Sequence, residues 1–327
     1  MTLHENKELF EEAILATAQQ KNIPEIYIEK DYWVTLVLKT IFNDEIGTES
    51  VFKGGTALSK CHQLIDRFSE DLDLVILKRE GEGSNQLRKK IKKISKCVEK
   101  ILPEIEVEGI TNKFGMIRKT AHSYTKIFEG NFGQVRDIII VESTWLGNSE
   151  PYTTETVGTY IYDMMVQTGQ LEVAKEYGLE PFDVRTLSVE RTLCEKIMSL
   201  IRFSQTEDPI SDLRNKIRHT YDIHMMLQDK ELSKFFNSEK FYEMLLTVAN
   251  DDVQSFKNNN NWLENHPSTA IIFSDTEKIW IQIKNTYVTD FKELVFGEFP
   301  DESEILKTLL KVSERLKGIK WNIEINK

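Results

Sequence analysis

The sequence predicts an α/β fold: a mixed sheet with flanking helices over residues 1–187, then a mostly α-helical domain over 188–327. Three observations predict it. A Gly-Gly pair, Gly54 and Gly55, separates a short apolar run from a helix-like segment. An apolar strand, "FSEDLDLVIL", follows it and carries two aspartates, Asp71 and Asp73. From about residue 186 onward the apolar residues recur at helical spacing almost without interruption.

The elements follow in order. Residues 5–20 place Phe10, Ala13, Ile14 and Ala18 on one helical face. After Pro24, "IEKDYWVTLVLKTIF" carries a second apolar stripe through Trp33, Leu36, Val37 and Ile41. Val51 and Phe52 lead into the glycines, and Ala57, Leu58, Cys61, Leu64 and Ile65 predict a helix from about 56 to 65. In the strand at 68–77, a period of two puts Ser69, Asp71 and Asp73 on one face and Leu72, Leu74 and Ile76 on the other. Residues 86–102 form an amphipathic helix, and strand-like pieces follow at about 105–110, 124–128 and 135–143. Helices are then expected at 186–204 and 214–228, with a last one opened by Pro300 and closed at Gly318. The asparagine run at 258–261 reads as a loop, and there is no internal repeat.

Composition narrows the function. The chain has 327 residues and a formal net charge of −11, which disfavours loose adhesion to DNA. No apolar run is long enough for a membrane helix, and the polar start "MTLHENKELF" does not read as a signal peptide. Cys61, Cys97 and Cys194 are sparse and widely spaced, which argues against disulfides and zinc and for the cytoplasm.

The chemistry centres on the aspartates. Two residues of strand rise about 6.6–7 Å, so the carboxylates of Asp71 and Asp73 face the same way. Two carboxylates facing a dry core are costly, whereas facing a cleft they suit hard divalent cations. Such cations can support an in-line displacement at phosphorus. A third carboxylate is expected from a neighbouring strand. Glu142, at the end of an apolar run, is preferred to Asp137, five residues earlier and on the opposite face of an ideal strand. The turn at Gly54 and Gly55 allows backbone N–H groups to approach phosphates, with the Thr56 hydroxyl beside them. It lacks the spacing and the Gly-Lys-Ser/Thr ending of a Walker A loop.

Gly-Gly, a short helix and Asp-x-Asp together resemble the signature of DNA polymerase β-like nucleotidyltransferases. "EKDYWVT" (29–35), "FKGGTALSK" to "RFSEDLDL" (52–74), "TLCEKIMSLIR" (192–202) and "RHTYDIH" (218–224) occur in that order. This set is similar to the AbiEii/AbiGii-type nucleotidyltransferase toxins of bacterial toxin–antitoxin and phage-defence systems. The resemblance implies a nucleotidyltransferase-fold sheet whose active site the helical domain completes. It implies Mg²⁺ or Mn²⁺ on Asp71, Asp73 and, less firmly, Glu142. It places Ser69 with Gly54, Gly55 and Thr56 around an NTP, with a leaning to GTP. Lys196 matches a lysine that meets the nucleotide phosphates, and Asp222 an aspartate that closes the site. The implied acceptor is RNA such as a tRNA end, and the implied partner a cognate antitoxin, with or without direct contact.

Residues 78–100 hold nine Lys or Arg against three Glu, so the helix at 86–100 is the candidate RNA surface. A solvated helix face accounts for the same residues. Read alone, Lys196 could snorkel to solvent, and Arg218 with Asp222 could be a surface ion pair. His219 and His224 read as structural. Two other functions compete: a two-metal nuclease, which leaves the Gly-Gly turn and Lys196 unexplained, and a nucleotide-binding protein without turnover.

Overall fold

A computed structural model describes residues 1–69, 71–130, 136–256 and 259–325. The chain divides into two units. Unit 1 comprises Met1–Gln63, Phe68–Trp145 and Tyr152–Thr186; unit 2 comprises Leu64–Arg67, Leu146–Pro151 and Leu187–Lys327.

Unit 1 opens with α1 (Lys7–Lys21), capped by the Asn6 side chain and stopped at Asn22, whose φ of 52° is left-handed. Pro24 precedes α2 (Glu25–Asn43), which packs on α1 through a largely buried face. There follow β1 (Ser50–Lys53), α3 (Gly54–Lys60), β2 (Asp71–Ile76), α4 (Ser84–Val98), β3 (Glu104–Ile105), β4 (Ile117–His122), β5 (Ile139–Thr144) and β6 (Tyr152–Val157). Next come α5 (Tyr160–Gln167), α6 (Leu171–Glu176) and β7 (Phe182–Leu187). The strands form one mixed sheet in the order β3-β4-β5-β2-β1-β7-β6. β2 lies parallel to β5 and antiparallel to β1.

Helix α4 covers one face of this sheet. Its Leu87, Ile91, Ile94 and Val98 are buried. Its Ser95 hydroxyl accepts from Arg118 Nε at 2.7 Å, and the Ser143 hydroxyl donates to the Ile91 carbonyl at 3.5 Å. Arg118 and Ser143 each neighbour, in sequence, a residue that points to the other face.

Unit 2 is helical. α7 (Val189–Phe203) starts at a Ser188 cap and is followed by α8 (Pro209–Asn215), α9 (Ile217–Gln228), α10 (Lys230–Phe236) and α11 (Glu239–Ser255). α12 (Ile271–Ser274), α13 (Thr276–Thr286) and α14 (Glu302–Lys317) complete it, the last with a capping box from Asp301 and Glu304. α7 packs on α9 and α11, and α9 on α14. Among the described residues, no helix is long and apolar enough to cross a membrane.

Several expectations need correction. The helix after the glycines spans 54–60, not 56–65: it begins at Gly54 itself and is followed by Gln63 at φ 52°. Leu64 and Ile65, which extended the apolar spacing, belong to unit 2. Ser69 precedes β2 rather than lying on its face. The piece at 124–128 is not a strand; β4 lies just before it. The strand expected at 135–143 starts at Ile139, and Val135 lies outside the described residues, as does Asn258 of the asparagine run.

Candidate active site

Strand register assembles the site in unit 1. Asp73 pairs with Glu142 on β5 and with Lys53 on β1, and Glu142 pairs with Lys119 on β4. Paired residues of adjacent strands point to the same face, so Lys53, Asp73, Glu142 and Lys119 form one row across the sheet. Asp71 joins them, two residues from Asp73 and opposite Ile140. This is the face away from α4. Asp137 lies before β5, exposed and paired with Lys126 at 2.5 Å.

The row is electrostatically loaded. Burial, then the charges of Glu142 and Asp71, push the Asp73 carboxyl up to about 7, against the pull of Lys53 and Lys119. Glu142 Oε2 stands 3.2 Å from Lys119 Nζ. Asp71 Oδ1 is buried and meets no hydrogen-bond partner among the described residues.

The start of α3 abuts this row. Gly54 has φ +82°, and a Cβ there would lie 2.2 Å from Asp73 Oδ2. Glycine is therefore required twice, for conformation and for space. The Thr56 hydroxyl lies 2.6 Å from the Asp71 carbonyl and 3.0 Å from the Ser69 hydroxyl. Thus Gly54, Thr56, Ser69, Asp71 and Asp73 are gathered, although Ser69 reaches the group through Thr56 rather than by strand alternation.

Do these residues fit a metal? Among the described residues, no group of three or more His, Cys, Asp or Glu stands where it could hold an ion. The donor chemistry of Asp71 and Asp73 nonetheless fits a hard cation: an orphaned buried carboxylate oxygen beside a carboxyl raised by burial and by like charge.

In unit 2, Asp222 on α9 is fully buried. Its two oxygens accept from Arg67 Nε at 2.6 Å and Nη2 at 2.8 Å, and Lys196 Nζ of α7 donates to it at 2.6 Å. Burial alone would raise its carboxyl, but the charges of Arg67 and Lys196 hold it well below the usual range. Burial lowers Lys196, and Asp222 only partly restores it. Lys196 is 6% exposed, so it does not snorkel, and Asp222 is bound to Arg67 and Lys196 in the interior. Burial, then Lys196, pushes His219 well below its usual range. His224 meets the Thr308 hydroxyl at 2.8 Å.

Sequence reasoning assigned no role to Arg67 or Lys119. Arg67 opens the quoted "RFSEDLDL", but its partner lies 155 residues away. Lys119 sits on a strand whose pattern is not apolar.

The basic helix gains little support as an RNA surface. α4 lies on the face opposite the carboxylates, and Lys90, Lys93, Lys96 and Lys100 are paired with nearby acids.

The family described as "Nucleotidyl transferase AbiEii toxin, Type IV TA system" matches residues 36–306. No curated protein matches the chain. Among solved structures, MenT4, a nucleotidyltransferase toxin from Mycobacterium tuberculosis H37Rv, is similar at 16% identity and a TM-score of 0.47, over 90% of this chain and 84% of that one. The family match covers most of the sequence, including the Gly-Gly turn, both aspartates, Lys196 and Asp222: the chain belongs to the AbiEii family of nucleotidyltransferase toxins.

Proposed function

We propose that this nucleotidyltransferase moves an NMP group from an NTP to an acceptor hydroxyl, with RNA such as a tRNA end as the acceptor and growth arrest as the outcome. The observation that carries the reading is the row of Asp73 and Glu142 in register, with Asp71 Oδ1 left without a partner and Gly54 pressed against Asp73. The acceptor hydroxyl oxygen attacks the α-phosphorus in line and loses its proton to water, the bond from the α-phosphorus to the bridging oxygen breaks, and pyrophosphate leaves.

Asp71 and Asp73 are the residues that would hold Mg²⁺ or Mn²⁺, and Glu142 is assigned as a third carboxylate by family resemblance. Such an ion supplies charge neutralisation and orients oxygen atoms for displacement at phosphorus. The protein's own groups do the rest. Burial and the carboxyl groups beside it let Asp73 keep its proton to about neutral pH, and it gives the proton up when positive charge arrives. Lys53 and Lys119 offset the carboxylates from the two ends of the row. Backbone N–H groups at Gly54 and Gly55, with the Thr56 and Ser69 hydroxyls, are assigned to the outer phosphates by family resemblance. Lys196 is assigned to the phosphates on the same ground, with Asp222 holding it and Arg67 in place. A leaning to GTP, a cognate antitoxin and a role in phage defence rest on the family alone.

Pyrophosphate release tests the reaction type. Release that requires NTP, divalent cation and RNA together, and that Asp71→Ala abolishes, supports transfer. Cleavage of RNA without NTP would point to the nuclease reading.

A further inference from the structure

Three consecutive ionisable residues of α2 are buried: Glu29, Lys30 and Asp31, at 1%, 0% and 5% exposure. Buried charge is costly unless it is partnered, so three in a row need an explanation. Each is fastened to a different segment of unit 1. The Glu29 carboxylate accepts the N–H groups of Ile127 and Phe128 at 2.8 and 3.1 Å. Lys30 Nζ donates to the Arg136 carbonyl, three residues before β5. Asp31 accepts Lys60 Nζ on one oxygen and the Tyr160 N–H, at 2.9 Å, on the other.

The Asp31 contact bears directly on the site. Lys60 is the last residue of α3, and its ammonium also lies 5.1 Å from the Tyr160 ring centroid. α3 has seven residues and is therefore about 10 Å long. Its first residue presses on the Asp73 carboxylate, and its third reaches the Asp71 carbonyl. One end of this short rod meets the aspartates and the other ends in a buried ion pair. An exposed pair would contribute little. Here both side chains are at most 6% exposed, and a backbone donor completes the cluster.

We propose that Asp31 and Lys60 are positioning residues: their ion pair fixes the far end of α3 and so sets Gly54 and Thr56 against Asp73 and Asp71. The proposal rests on reading those two aspartates as the catalytic pair. Neither Asp31 nor Lys60 touches substrate. Their removal acts on turnover only indirectly, through the placement of α3.

The test uses the full chain and three variants. Lys60→Met removes the tether. Asp31→Asn with Lys60→Met also removes it but leaves no unpaired buried charge, so it guards against a single variant that fails to fold. Lys60→Arg keeps a cation on Asp31. Two quantities are read: hydrogen exchange of peptides covering residues 54–61, and steady-state NMP transfer. The expected result is faster exchange in that segment for both tether-less variants. In addition, kcat falls by about 10²-fold, the penalty for roughly 1 Å of misplacement. Lys60→Arg is expected to stay near wild type in both. A double variant with native exchange at 54–61, or with native kcat, overturns the proposal. If the wild type transfers no nucleotide, the reading of the aspartates fails. The exchange measurement still decides whether the pair tethers α3.

Discussion

Replacing Gly54 with alanine tests the geometry of the aspartate row most sharply. The new Cβ would stand 2.2 Å from Asp73 Oδ2, 3.1 Å from its Cγ and 3.3 Å from its Cβ. Contacts below 3.0 Å are not tolerated, so the carboxylate must retreat by at least about 0.8 Å. The obstructing atom is the end of a side chain and can rotate away, so most of the penalty falls on function. The backbone adds strain, because φ of +82° disfavours any side chain by about 1–2 kcal/mol. For a unit of this size that lowers Tm by about 2–8 °C. With Asp73 as the proposed catalytic carboxylate, a displacement of nearly 1 Å is expected to lower kcat by about 10²-fold, or about 2.7 kcal/mol of barrier. The assay is steady-state transfer from labelled NTP at a temperature well below the variant's Tm. A folded Gly54→Ala enzyme with kcat within about threefold of wild type would show that the position of the Asp73 carboxylate does not limit transfer.

Asp73→Asn carries a pH signature in cation-free buffer. The folded-state pKa of Asp73, about 7, lies above its ordinary value, so wild-type stability falls as pH rises from about 4 to 7. The variant should therefore be the more stable of the two at pH 8, and its advantage should shrink toward pH 5 in thermal scans. Asp222→Ala should lower stability by about 3–5 kcal/mol in denaturant titrations, because it removes the buried carboxylate that Arg67 and Lys196 share. Lys196→Met should destabilise less, since Arg67 still holds Asp222 by two bonds, yet it should impair transfer. Replacing Arg88, Lys89 and Lys92 of α4 with glutamine should leave RNA labelling within about threefold of wild type, as that helix covers the opposite face.

The aspartates were legible because a period of two is rigid: Asp71 and Asp73 had to share a face. The preference for Glu142 came from the end of an apolar run. The structure puts Glu142 in register with Asp73 and leaves Asp137 outside the strand. What stayed hidden was polar and buried. β4 reads "IRKTAH", and its Arg118 and His122 look like surface residues. Arg118 is half-buried against Ser95, and His122 is buried against the Leu102 carbonyl. β6 is mostly exposed, so it lacks the apolar alternation that marks a strand. The apolar spacing predicts a longer α3 because Leu64 and Ile65 continue it by coincidence, while a left-handed Gln63 follows the helix. Arg67, Lys60 and Asp31 were visible as letters but not as partners. Ion pairs separated by 155 or 29 residues leave no local pattern.

The most direct test of the central claim is transfer of label from each α-³²P-NTP to total bacterial RNA with Mg²⁺, for wild type and for Asp71→Ala with Asp73→Ala. The expected result is a labelled RNA band with wild type alone, and the band and the nucleotide identify acceptor and base. Label that persists in the double variant, or a wild type that binds no NTP, would contradict it.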